Sequence, residues 1–254
     1  MINVSIIGTG NVAYHFSNVF LKHYNINLIE VCGRRKNIPS YFSSRVNYCD
    51  DVSKISKSDV YMICVSDDQI EILSNKIKAS SKSLILHCSG STHMNALSNH
   101  CNYGVLYPLQ TFSIKKNINF KKIPITVEGN SKDSLNKIEN LASKLSQNVI
   151  KASSKQRLAI HVSAVFANNF TNYMRVVADE ILKSNDIDPD ILNPLTFETS
   201  DKLKYLNSKE AQTGPALRKD INTLKKHLNL LKGTSYHKIY ETISNEIKKI
   251  NYEL

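Results

Sequence analysis

Up to residue 152 the apolar residues come in short unbroken runs: "NVSIIG", "LIEVCG", "VYMICV", "SLILHC" and "GVLYPL", each closed by a turn or helix signal. Runs of strand length that are apolar throughout, rather than alternating, predict parallel strands covered by helices on both faces. "PITVEG" and "NVIKA" add two strands around "SKDSLNKIENLASKLSQ", where Leu135, Ile138, Leu141 and Leu145 repeat at helical spacing. After Ser153 the strand runs stop. Apolar periodicity then predicts helices over 155–185, 189–206, 215–232 and 234–252, with "DIDPDILNP" and "KGTSY" as the breaks. The pattern is that of an α/β domain over 1–152 followed by an all-helical C-terminal domain over 153–254.

One helical stretch departs from the rest. "LAIHVSAVFANNFTNYM", Leu158 to Met174, holds no charged residue in a chain with 33 Lys and Arg and 22 Asp and Glu. At 100° per residue Val162, Phe166, Phe170, Tyr173 and Val177 form an apolar face. Opposite them His161, Asn168 and Asn172 fall within about 20° of one line. Buried neutral polar groups need partners, so this line is expected to face a cofactor, a substrate or another chain. The helix is expected to be enclosed on all sides.

Composition adds limits. The chain is 254 residues with 41% hydrophobic and 22% charged residues, ordinary for one or two globular domains. No apolar run reaches the ~18 residues of a membrane span. Met1 leads straight into "INVSIIG" without a secretory signal's basic and apolar regions, and a cytoplasmic protein is expected. Cys32, Cys49, Cys64, Cys88 and Cys101 show no CxxC spacing and no His at ligand spacing, which argues against a zinc site or a disulfide framework. The net charge of +11 is spread over every polar segment, without the basic face and aromatic platforms of a nucleic-acid binder. It implies a preference for anionic ligands.

The chemistry begins at "VSIIGTGNVAYHF". Gly8, Gly10 and Ala13 stand in G-x-G-x-x-A spacing directly after a strand and at a helix start, the pattern of a Rossmann-type dinucleotide site. Gly8 permits the tight turn and Gly10 the approach of a pyrophosphate, with Asn11 and Val12 opening the helix whose N–H groups face the phosphates. The second strand ends in Gly33, Arg34 and Arg35. Glu30 comes too early to hold the ribose, and two guanidinium groups favour the 2′-phosphate of NADP. Val65, Ser66 and Asp67, and His87 with Ser89, lie at later strand ends facing the same crevice. Ser66 and Asp67 also suit helix capping, and His87 also suits the end of a strand.

These pieces together resemble a family. "GTGNVA", "HCSGS", "YPLQTF", "HVSAVFANNF" and "TGPALRKD" resemble bacterial proteins that join a Rossmann-like domain to a helical domain designated DUF2520, described as NADP oxidoreductases. The layout is more distantly similar to ketopantoate reductase, pyrroline-5-carboxylate reductase, prephenate dehydrogenase and β-hydroxyacid dehydrogenases. The resemblance implies NADP as cofactor and a small substrate in a cleft, commonly in a dimer; the uncharged central helix, with much surface to bury, leads to the expectation of a homodimer formed mainly by residues after 152. One residue departs from the pattern: the β-hydroxyacid dehydrogenases place a catalytic Lys four residues before an Asn, and counting back from Asn168 and Asn169 gives Ala164 and Val165. The candidates for catalysis are therefore His161 as proton donor, with Asn168 and Ser89. "TGPALRKD" reads as a helix start with Thr213 near the cap and Pro215 in the first turn, offering Arg218 to an anion. The expected activity is hydride transfer between NADP and a carbonyl or imine carbon of a small anionic substrate. The alternative is a catalytically silent NADP-binding sensor or scaffold, which the missing Lys favours.

Overall fold

A computed structural model describes residues 1–250. It begins with β1 (Ile2–Ile7), α1 (Asn11–Phe20), β2 (Ile26–Cys32), β3 (Tyr48–Cys49), β4 (Val60–Ile63), α2 (Ile70–Ser74) and β5 (Leu84–His87). There follow β6 (Asn102–Pro108), β7 (Ile125–Gly129), α3 (Lys132–Leu145) and β8 (Val149–Lys151). The eight strands form one sheet in the order β3-β2-β1-β4-β5-β6-β7-β8. All neighbours are parallel except β6 and β7, so this is the mostly parallel Rossmann-type sheet that the apolar runs predict.

The unbroken apolar runs follow from burial on both faces. All four residues of β4 and all four of β5 are buried. Alternate residues serve opposite cores: Ile6, Met62 and Leu86 join Phe16, Phe20 and Leu141 from α1 and α3, while Ile7, Ile63 and Ile85 join Ile70 and Leu97 on the other face. The two-residue β3 has no apolar run to announce it, and the sequence pattern passes over it.

The helices are α4 (Ser154–Ala164), α5 (Thr171–Lys183), α6 (Asn193–Lys202), α7 (Ile221–Leu230) and α8 (Tyr236–Ile247). Ser153 opens α4 with a capping box, its side chain and that of Gln156 satisfying each other's backbone N–H groups. Between α4 and α5 the helix is not α-helical: Val165–Phe170 is a π-helical turn. Bonds of i→i+5 advance less per residue than α-helical ones, so the common line predicted for His161, Asn168 and Asn172 does not form. Nor is the helix enclosed. Residues 166–173 are exposed, with Phe166 at 65% and Phe170 at 48%.

Two further expectations are corrected. "TGPALRKD" is not a helix start: the cap of α7 is Asp220, whose carboxylate accepts from Thr223 N, and the preceding residues are turns with Gly214 at φ +113°. Only part of the 189–206 prediction is α-helix, because Pro189–Leu192 forms a 3-10 turn ahead of α6. The predicted end of the last helix at 252 lies outside the described residues.

The chain divides into two compact units, Met1–Asn169 and the residues from Phe170 on. In the second unit, Arg175 bonds to Asp179, Thr196 and the Pro189 carbonyl, and His227 Nδ1 lies 2.6 Å from the Tyr240 hydroxyl. Among the described residues no helix is long and apolar enough to cross a membrane, and no group of three or more His, Cys, Asp or Glu is placed to hold a metal ion.

Candidate functional site

A cleft of about 810 Å³ runs along the C-terminal edge of the sheet in the first unit. Ligands of open parallel sheets bind at that edge, where successive strands end and chain turns gather. Of the residues singled out above, Gly8, Gly10, Asn11, Val12, Arg34, Val65, Ser66, Asp67, Ser89 and His161 line it. Arg35, His87 and Asn168 do not.

At one end is the glycine turn. Gly8 has φ +123°, and a Cβ there would lie 2.1 Å from the carbonyl oxygen of Cys64, so only glycine fits. Gly10 is the N-cap of α1, and no side chain caps this helix, which leaves its first turn of N–H groups for a ligand's phosphates. Glu30 is turned into the fold, where its carboxylate accepts from Ser56 N, and is only 7% exposed. It holds no ribose. Arg34 supplies a cation beside the crevice, while the Arg35 carbonyl accepts a hydrogen bond from the Tyr48 hydroxyl. Asp50 and Asp51 also line this end, Asp51 being held by Ser53 and Lys54, whose bonds pull its carboxyl below the usual range.

The other end centres on the loop after β5. Ser89 Oγ accepts from the N–H groups of Ser91 and Thr92 and ties the loop into a tight turn, so much of its hydrogen-bonding capacity is spent locally. Ser66 makes no capping bond, and the Asp67 carboxylate goes to the Ser91 hydroxyl instead of capping. Next to them sits a pair that the sequence does not announce. The Tyr107 hydroxyl on β6 lies 3.0 Å from Nδ1 of His161 on α4, ring edge to ring face. Both pack on Gly90, where a Cβ would meet His161 Nδ1 at 2.7 Å and the Tyr107 ring at 2.8 Å. Burial, reinforced by the charge of Asp67, raises the Tyr107 phenol above its usual range and keeps it protonated. The bond serves either form of the ring: the Tyr107 hydroxyl donates to a bare Nδ1, or an Nδ1–H donates to the phenol oxygen, and in both cases Nε2 is left as the other nitrogen of the ring.

What holds this end together is also missing from the sequence reading. Arg157, 1% exposed, donates to Glu128 on β7, to the Thr92 carbonyl and to Ser154 Oγ. Glu128 in turn accepts from the N–H and hydroxyl of Ser154 at the start of α4. Arg157 and His161 are one helical turn apart, and they grip the two ends of the same loop, at Thr92 and at Gly90. Behind the loop, His87 is fully buried: its Nδ1 accepts from Ser89 N at 3.2 Å, and among the described residues its Nε2 has no partner at hydrogen-bond geometry. Burial and the neighbouring Arg157 charge pull its pKa down to about 3.

The model of a domain of unknown function, DUF2520, matches residues 123–247. Over 98% of both chains, the protein is 32% identical to a Bacteroides fragilis protein described as a "putative NADP oxidoreductase", with a TM-score of 0.90. The chain belongs to the DUF2520 family. A Thermotoga maritima protein of the same fold is 19% identical over 97% of this chain and 98% of its own, with a TM-score of 0.78. The fold is also that of a reductive aminase from Aspergillus terreus solved with NADPH and ethyl-5-oxohexanoate, at 13% identity, 98% and 93% coverage and a TM-score of 0.71. No curated protein matches the chain. The DUF2520 segment begins at Ile123, within the first unit, and so takes in Glu128, Arg157 and His161, while Gly8, Arg34, Gly90 and Tyr107 lie before it.

Proposed function

We propose that this protein is an NADP-dependent oxidoreductase that moves hydride between the nicotinamide and a carbonyl or imine carbon of a small anionic substrate. The carrying observation is that one cleft has a phosphate-type glycine turn at one end and the Tyr107–His161 pair at the other. The residues fit the cofactor: Gly8 and Gly10 leave backbone open to a pyrophosphate, Arg34 suits a 2′-phosphate, and Glu30 is spent elsewhere. When bound, NADPH supplies the hydride, or NADP accepts it. His161 then holds the proton that a reduced carbonyl oxygen or imine nitrogen takes up, and Tyr107 orients the imidazole from its far side. Gly90 lets both rings approach the loop backbone, and Arg157 keeps that loop in place.

The anionic substrate class is supported by the net charge of +11. The absence of Lys at Ala164 and Val165 favours the other reading, a silent NADP-binding sensor; the paired acid in the cleft favours the enzyme. The protein is further read as a homodimer, on its exposed apolar residues after residue 152.

Fluorescence titration with NADPH and NADH, for the wild type and Arg34→Ala, tests the cofactor half of the reading. NADPH binds more tightly, and the variant loses about tenfold in NADPH affinity with little change for NADH. Equal affinities in the wild type would sink the NADP assignment. Screening keto and imino acids for NADPH oxidation tests the chemical half.

A further inference from the structure

The cleft contains two thiols that this mechanism leaves idle. Cys64 and Cys88 both line it, and their sulfurs are 3.5 Å apart. They stand directly after the paired residues Ile63 and His87, at the ends of neighbouring parallel strands β4 and β5. Neighbouring strands run about 4.8 Å apart, inside the Cα separations of about 4.4–6.8 Å that a disulfide spans. Among the described residues neither sulfur makes another hydrogen bond. The contrast is a second cross-strand pair, Cys32 with Cys49, which packs on the opposite face of the sheet and whose Cys49 thiol donates to the Asp51 carbonyl at 2.9 Å.

We propose that Cys64 and Cys88 form a reversible disulfide site, closed by hydroperoxides, and that closing it lowers the affinity of the cleft for NADPH. The sulfur of Cys64, a cleft-lining residue that is 7% exposed, attacks the peroxide. The O–O bond breaks, an alcohol or water leaves, and a sulfenic acid remains on Cys64. The Cys88 sulfur then attacks that sulfur and expels the second oxygen as water. The two thiols lose two electrons and two protons in all, and the peroxide gains them. An external dithiol reverses the reaction by thiol–disulfide exchange. Burial and the bond with Cys64 push the Cys88 thiol well above its ordinary range, so the site is slow and answers to sustained rather than passing oxidant.

The route to the cofactor is short. The sulfurs must close from 3.5 Å to about 2.05 Å, which turns both side chains and loads the backbone of Cys64 and Cys88 that carries them. Gly8 packs on the Cys64 carbonyl with no room even for a Cβ, and Cys64 N donates to the Ile7 carbonyl at 2.7 Å. A shift of Cys64 is therefore a shift of the glycine turn. By reciprocity, bound cofactor must oppose the disulfide to the same degree.

The cofactor effect rests on the proposed NADP reading, whereas the disulfide does not, and one experiment separates them. Purified reduced protein is treated with millimolar hydrogen peroxide, with and without saturating NADPH. Each sample is alkylated in denaturant and mapped by mass spectrometry, and NADPH affinity is titrated before and after dithiothreitol. The expected result is a Cys64–Cys88 linked peptide with the other three of the five cysteines free. NADPH affinity falls about tenfold and returns on reduction, and NADPH-loaded protein forms the link more slowly. Cys88→Ser gives sulfenic acid on Cys64 and no link. Five free thiols, a link at Cys32–Cys49 instead, or a Cys64–Cys88 link that leaves NADPH affinity unchanged would each overturn the proposal. Reduced protein that binds no NADPH at all refutes the proposed function and the cofactor effect with it, while the thiol map still decides the disulfide.

Discussion

His161 and His87 are both near the same loop, yet their environments assign them opposite tasks. His161 is half-buried with Nδ1 bonded to the Tyr107 hydroxyl, so Nε2 is the nitrogen through which its imidazolium form would pass a proton to a ligand and its neutral form take one back. His161→Asn should lower turnover by about 10²–10⁴-fold and leave NADPH affinity nearly unchanged, measured by steady-state kinetics once a substrate is in hand. Tyr107→Phe should lose less, because the imidazole survives without its orienting bond. His87 behaves as a stability element. Its folded pKa, about 3, lies below the ~6.5 of an unfolded histidine. Above pH 6.5 both states are neutral and pH has no effect through this group. Below that, the unfolded chain takes a proton that the folded one refuses, so stability falls as pH falls towards 3. Between pH 7 and pH 5 this contributes a loss of about 2 kcal/mol. Urea midpoints for wild type and His87→Leu should show that part of the pH slope disappearing in the variant; parallel slopes would refute it.

Arg157 belongs to the scale of elements, because it joins three of them: α4, β7 and the loop after β5. A buried ion pair that loses one partner leaves the other charge stranded. Arg157→Met should therefore cost about 3–5 kcal/mol by urea unfolding, while the double change Arg157→Met, Glu128→Gln should recover much of it. No periodicity rule singles out Arg157, since a charge early in an amphipathic helix ordinarily reads as solvated. The Tyr107–His161 pair is hidden for another reason: its members lie 54 residues apart, and only the sheet order brings β6 under α4. The strands, by contrast, are legible because burial on both faces demands uninterrupted apolar runs, and the glycine turn because Gly8 must pack on Cys64. The π-helical turn at Val165–Phe170 uses residue types that an α-helix would also accept, so nothing local distinguishes it.

Over the whole molecule the outstanding feature is the number of exposed apolar side chains after residue 152. Phe166, Phe170 and Tyr173 are exposed at 65%, 48% and 47%, and Leu195 and Phe197 at 63% and 72%. Isolated exposed apolar residues are common, but such a concentration marks an interaction surface. A homodimer covering these residues is the expected form. Light scattering at micromolar concentration should give twice the chain mass of 28.7 kDa, and Phe166→Glu with Phe197→Glu should shift it towards monomer. A wild-type monomer would count against it. The inward turn of Glu30 has a consequence for anyone redesigning cofactor use. Its carboxylate is already committed to the Ser56 backbone, so it cannot be recruited to the adenine ribose by trimming a neighbour. The first exposed side chain past the strand is that of Arg34, at the rim of the cleft. On the proposed reading a switch to NADH must be engineered there, with Arg34→Asp exchanging the proposed phosphate clamp for an acceptor of ribose hydroxyls in one step.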